Sequence, residues 1–152
     1  MLVVIIRIVL FVTPWLTVFF IPKKVFKKYT PVAIFTSLLV LVNSILAVPF
    51  KLWTVKGGLL TKALNDFSFI FGPFFVGTIW IFRFTFGRFW LYALTNLLMD
   101  LFLAYPVCRV LQKLKVFKLV NYKPKHVFYS SICFAFIIYG YQLFITRSKS
   151  RD

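Results

Sequence analysis

Arg7, Asn43, Asn96 and Asp100 are the side chains placed to do chemistry, because each interrupts an otherwise apolar run. A charged group in hydrocarbon costs roughly 2.5–3.5 kcal/mol on insertion scales, so Arg7 and Asp100 are expected to seek each other or water. In an arrangement of five spans, the first span begins, and the second and fourth end, on one face of the membrane. Arg7, Asn43 and Asp100 then each lie about seven residues in from that face, which at 1.5 Å per residue is about 10 Å deep. Ser130, Ser131 and Gly72-Pro73 fall at a similar depth. Tyr92, Asn96 and Asp100 recur one helical turn apart and form a stripe expected to face the bundle. Two chemistries follow from this layer: an ion pair between Arg7 and Asp100, or a site for a solute or ion.

Enzymatic chemistry is poorly served. The chain has 19 Lys and Arg, no Glu, and Asp66, Asp100 and Asp152 as its only acids. It lacks paired carboxylates, a His cluster, a Cys/His constellation and a phosphate-cradling glycine loop, so a non-enzymatic role without cofactor or metal is expected. Gly57-Gly58 beside Lys56 and Lys62 reads as a turn at a headgroup surface, and His126 beside Lys125 as a span-boundary residue. Cys108 and Cys133 have no metal-type spacing; Cys133, within an apolar run, reads as a small buried thiol. Asn65-Asp66 reads as a cap, since Asn and Asp accept hydrogen bonds from the free N–H groups that start a helix.

The elements that must position these residues are long apolar stretches. With 61% hydrophobic residues and a mean hydropathy of +0.90, the chain lies far above the roughly 45–50% apolar usage of soluble domains. The fold class is an all-α integral membrane protein, one domain over 1–152, with spans at about 2–21, 31–50, 65–82, 89–107 and 127–145. The first is long enough to cross about 30 Å of hydrocarbon as a helix of about 20 residues. It lacks a positive n-region and a small-residue cleavage site, so it is expected to stay attached. Pro31 and Pro49 bracket the second span, where proline is tolerated. The third is short and is interrupted at Gly72-Pro73, so it kinks there or re-enters. RFTFGR (83–88) makes the third and fourth spans antiparallel neighbours. In 109–126, Val107, Val110, Leu111, Leu114 and Phe117 recur at helical spacing opposite Arg109, Gln112, Lys113 and Lys115, the pattern of an interfacial amphipathic helix or a helical extension.

The basic residues are dealt over every loop and do not form one patch or tail, which argues against nucleic acid as a partner. Lys23, Lys24, Lys27 and Lys28 in one loop, and Arg109, Lys113, Lys115 and Lys118 in another, are the expected contacts of anionic lipid headgroups. Tyr29, Trp53, Tyr105, Tyr122 and Tyr129 near span ends suit interfacial anchoring. Lys and Arg number nine on each face, with Arg7 besides in the first span, so the positive-inside rule returns a tie and orientation stays open.

The stretch GTIWIFRFTFGRFWLYALTNLLMDLFLAYP, followed by KLVNYKPKH and IIYGYQLF, resembles the small multi-spanning membrane proteins of Bacillus-type Firmicutes. The likeness covers the second half of the chain. It implies a bacterial plasma or spore membrane and no particular activity, and it carries over no functional residue. The function expected is a small membrane subunit or scaffold. It would contact anionic lipid through its basic loops and pack against a protein partner or a second copy. The alternative is a small transporter or channel for an anionic solute, with the loops as a funnel and the Arg7/Asp100 layer as its site.

Overall fold

The structure is a computed structural model and describes residues 1–151; Asp152 lies outside the described residues. Five helices among those residues are long and apolar enough to cross a membrane: α1 (Leu2–Phe20), α2 (Lys23–Phe50), α3 (Gly58–Thr85), α4 (Phe89–Lys113) and α5 (Pro124–Lys149). They run antiparallel in sequence order. All five expected spans are present, and four of them are longer than their apolar stretches, because flanking lysines and prolines are carried inside the helices. Pro22 caps α2, so Lys23–Lys28 form its first turns, and Pro31 and Pro49 lie within the helix.

Of the two alternatives for the third span, the structure has the helix distorted at Gly72-Pro73, with bounds extended beyond the expected 65–82. It is 28 residues of continuous helix, about 42 Å at 1.5 Å per residue, and so is long enough to cross fully without re-entering. Gly72-Pro73 is absorbed by a π-helical turn, Ile70–Phe74. Proline lacks an N–H and its ring crowds the carbonyl four residues back; widening one turn relieves both without ending the helix. A second π turn, Leu103–Val107, accommodates Pro106 in α4.

Residues 109–126 are not one amphipathic helix. The helical extension ends at Lys113, Lys115 takes a left-handed φ of 59°, and Lys118–Leu119 form a short strand, β2. This pairs antiparallel with β1 (Trp53–Thr54), in the register Trp53↔Leu119 and Thr54↔Lys118. Val120 N–H donates to the Leu52 carbonyl at 2.9 Å and Asn121 N–H to that of Lys51 at 3.2 Å, so the α2–α3 and α4–α5 loops are zipped into one cap.

The two ends of the bundle differ. At the end with the 21–22 and 86–88 turns, Tyr29, Val32, Ala33, Phe75, Val76, Ile79, Phe82, Tyr92 and Tyr139 form a closed core. Phe82 stands at its centre, with ring centroids at 5.7 Å from Tyr29 and 5.2 Å from Tyr92. Toward the strand-capped end the helices part. α2 lies against Phe75–Thr85 of α3 far more than against its first turns, and Cys108–Lys113 draws away from α5. α1 buries no residue and docks mainly along α3, with Leu10 reaching the wall of the deeper space between the helices. Trp15 Nε1 donates to the Phe71 carbonyl in the π turn at 2.8 Å, and Trp80 Nε1 to Thr17 Oγ1 at 2.9 Å. Gly72 makes this approach close: a Cβ there would sit 2.6 Å from the Leu10 carbonyl oxygen.

Candidate functional site

The polar centre of the molecule is a cluster of buried Ser44, Lys62 and Asp66 with half-buried Trp53 of the strand cap. Because α3 begins at Gly58, Lys62 and Asp66 stand four residues apart on one helical face and do not cap anything; this corrects the capping role expected of Asn65-Asp66. Lys62 Nζ lies 2.5 Å from Asp66 Oδ2, the only salt bridge among the described residues, with both residues 8% exposed. Ser44 Oγ of α2 donates to the same oxygen, and Trp53 Nε1 of β1 donates to Oδ1 at 3.2 Å. Lys62 Nζ also donates to the Ser44 carbonyl at 3.3 Å and lies 4.9 Å from the centroid of the Trp53 ring. One carboxylate therefore takes donors from three elements, which is how a charge survives burial. Chemically the cluster is a clasp joining α2, α3 and β1: the Ser44 proton is committed to Asp66, and Lys62, pinned to the carboxylate, acts as an ammonium donor.

The equal-depth layer resolves into separate neighbourhoods. Arg7 does not meet Asp100; its Nε donates to Asn65 Oδ1 of α3 at 3.0 Å, and Asn65 is 1% exposed. The physical reason is azimuth: α1 touches α3, whereas Asp100 looks from α4 into the interior of the bundle. Asp100 Oδ2 is buried and without a hydrogen-bond partner. Asn96 Nδ2 bonds back to the Tyr92 carbonyl at 2.9 Å, and Tyr92, 2% exposed, donates its hydroxyl to the Ala135 carbonyl of α5 at 2.7 Å. The Tyr92–Asn96–Asp100 stripe thus faces the bundle as its spacing predicts.

Where the helices part, they enclose two adjoining cavities. The first, about 150 Å³, lies under the cap, with Asn43, Ser44, Trp53, Asp66, Tyr122 and Ser130 among its walls. The second, about 320 Å³, lies deeper, with Thr36, Tyr92, Asn96 and Asp100 among its walls. They share Val40, Phe69, Phe74, Leu103, Leu111, Ser131 and Phe134. Both are walled almost wholly by carbon, and most of their hydroxyls are already spent within the fold. Thr36 and Thr78 bond back to their own helix, and Tyr122 and Ser130 bond to each other. Burial pushes the Tyr122 phenol above its ordinary range, opposed by that bond with Ser130, so it remains a protonated donor at neutral pH.

The expected headgroup contacts, Lys23, Lys24, Lys27 and Lys28 at the closed end and Arg109, Lys113, Lys115 and Lys118 at the other, are all exposed. Lys28 Nζ leans over Tyr29 and Phe86, at 5.3 and 5.2 Å from their centroids. The cysteines are free, with Cys108 buried against the first cavity and Cys133 exposed, so the buried thiol expected at Cys133 belongs to Cys108. Sequence reasoning missed the clasp of Ser44, Lys62, Asp66 and Trp53. Its available signal was the opposite-charge pair Lys62 and Asp66 at helical spacing. Comparison with family models, curated proteins and solved structures returns no match for this chain.

Proposed function

We propose that this chain is a multi-pass protein of a bacterial plasma or spore membrane. It serves as a non-enzymatic subunit that binds anionic lipid at both membrane faces and packs beside a protein partner or a second copy. The observation carrying this reading is the distribution of exposed surface. Leu2, Ile5, Ile8, Val9, Leu16, Phe19 and Phe20 on α1, and Leu94, Leu98, Met99 and Phe102 on α4, are all exposed, which water would not tolerate over so large an area. Exposed Lys and Arg bound this apolar belt at both ends. Each base near an anionic surface is worth about 1 kcal/mol, so each cluster of four favours anionic headgroups. Cavities walled by carbon and holding the Asp100 carboxyl favour this reading over an aqueous path for an anionic solute.

The test is lipid retention in mild detergent, counted by native mass spectrometry. The protein is expected to keep phosphatidylglycerol over phosphatidylcholine. Raising ionic strength from about 0.1 M to 1 M, which shortens the Debye length from about 10 to 3 Å, should erode the preference. Replacing Lys23, Lys24, Lys27 and Lys28 with Gln should reduce it. Equal retention of the two lipids at low salt overturns the reading.

A further inference from the structure

We infer that the adjoining cavities between α2, α3, α4 and α5 hold one acyl chain of an anionic phospholipid, whose head rests at the strand-capped mouth. The inference rests on the lipid-binding reading above and adds to it a defined internal site. Length is the first argument. The cavities run along α5 from Val127 in the first to Ile138 in the second, 11 residues or about 16 Å at 1.5 Å per residue. That is about half of the roughly 30 Å hydrocarbon thickness, the depth one lipid leaflet provides. Wall chemistry is the second. Val40, Phe69, Phe74, Leu103 and Phe134 line both cavities and offer a chain van der Waals contact along its length, with Asn96 and Asp100 polar groups at one side of the deeper wall. With about 320 Å³ the deeper cavity lies within the size range of ordinary ligand sites.

Charge selects the head. Exposed Lys118 and Lys123 directly flank Leu119 and Tyr122 in the wall of the first cavity, and exposed Lys51 and Lys56 stand on the strand-paired loop. Asp66, the carboxylate lining this cavity, is neutralised by Lys62. Trp53 and Tyr122, with ring centroids 6.0 Å apart, supply the amphipathic rim that sits at a headgroup boundary.

The experiment is to bind the purified protein to a phosphatidylglycerol carrying a photoactivatable group near the end of one acyl chain, then map the adducts by mass spectrometry. Adducts are expected on interior residues such as Leu103, Ser131 and Phe134. Ser131→Trp fills the wall common to both cavities, and it should reduce interior adducts on the order of tenfold or more, since excluding even two methylenes is worth about that much affinity. Val40→Phe should do likewise by a different side chain, and the mapping on unaltered protein stands whether or not either variant folds. Adducts confined to outward residues such as Phe136, Ile137 and Leu98 overturn the internal site. Should they be so confined while phosphatidylglycerol is still retained over phosphatidylcholine, the internal site alone fails. If the preference vanishes, the broader lipid reading fails with it.

Discussion

Breaking the clasp beneath the strand cap should be the most damaging small change in the molecule. Asp66→Ala removes the acceptor of Ser44 Oγ, Trp53 Nε1 and Lys62 Nζ, and leaves an ammonium 8% exposed with no countercharge in contact. Removing one partner of a buried pair costs about 3–5 kcal/mol, because the survivor keeps its desolvation penalty. Lys62→Met is expected to cost less, since Asp66 retains the Ser44 and Trp53 donors. The double variant Lys62→Met/Asp66→Ala should recover part of the loss: no charge remains buried, and only the Ser44 hydroxyl and the indole N–H need new partners. The coupling should be at least about 1–2 kcal/mol, within the range for residues in one network. Unfolding in detergent across the four proteins gives the coupling. Hydrogen exchange gives the location, because amides of 58–69 and of the paired strands should open first. Single variants each costing under about 1 kcal/mol, with strict additivity, would match a solvated surface pair and refute the account of the clasp.

Two further expectations follow from the seating of α1 and from the divided polar layer. Gly72→Ala puts a Cβ 2.6 Å from the Leu10 carbonyl oxygen, backbone that cannot rotate away, so α1 must shift. The cost should be about 1–3 kcal/mol by thermal unfolding, whereas Gly77→Ala, which meets nothing within 4 Å, should be close to neutral. Arg7→Gln should cost about 1–3 kcal/mol for its bond to Asn65, and Asp100→Leu should be neutral or stabilising, since it removes a buried oxygen that lacks a partner. The double variant should be additive, and a coupling above about 0.5 kcal/mol would mean that the two residues meet after all.

Hydropathy made the five helices legible because apolar length is a local property, summed along the chain with no knowledge of neighbours. What it missed was non-local. The start of α3 was hidden because Lys62, Asn65 and Asp66 read as a loop and cap. In the structure Lys62 and Asp66 neutralise each other one turn apart, and the helix continues through them. The break after Lys113 was hidden because Leu114 and Phe117 keep the helical period. The pairing that wins there is with residues 53–54, more than sixty positions away, and periodicity holds no trace of it. Depth also fell short of contact. Equal distance from one face placed Arg7 and Asp100 in one layer, but a helix has a direction around its axis as well as a position along it, and they point to different neighbours.

The unequal ends of the bundle account for both its rigidity and its internal space. Phe82, Tyr92, Tyr139 and Tyr29 interlock at one end, where ring against ring fixes the distances between α2, α3, α4 and α5. At the other end ring contacts are fewer, Trp53 with Tyr122 and Phe69 with Phe117, and the helices are held by the paired strands and by a carboxylate taking three donors. Directional bonds of that kind set a separation without filling the space between, so the walls below them stay short of contact partners. Van der Waals contacts forfeited by carbon-lined walls are a standing cost to the empty bundle. A chain of methylenes entering between the helices would restore those contacts without demanding a single hydrogen bond, and the lysines of the cap stand where its phosphate would come to rest.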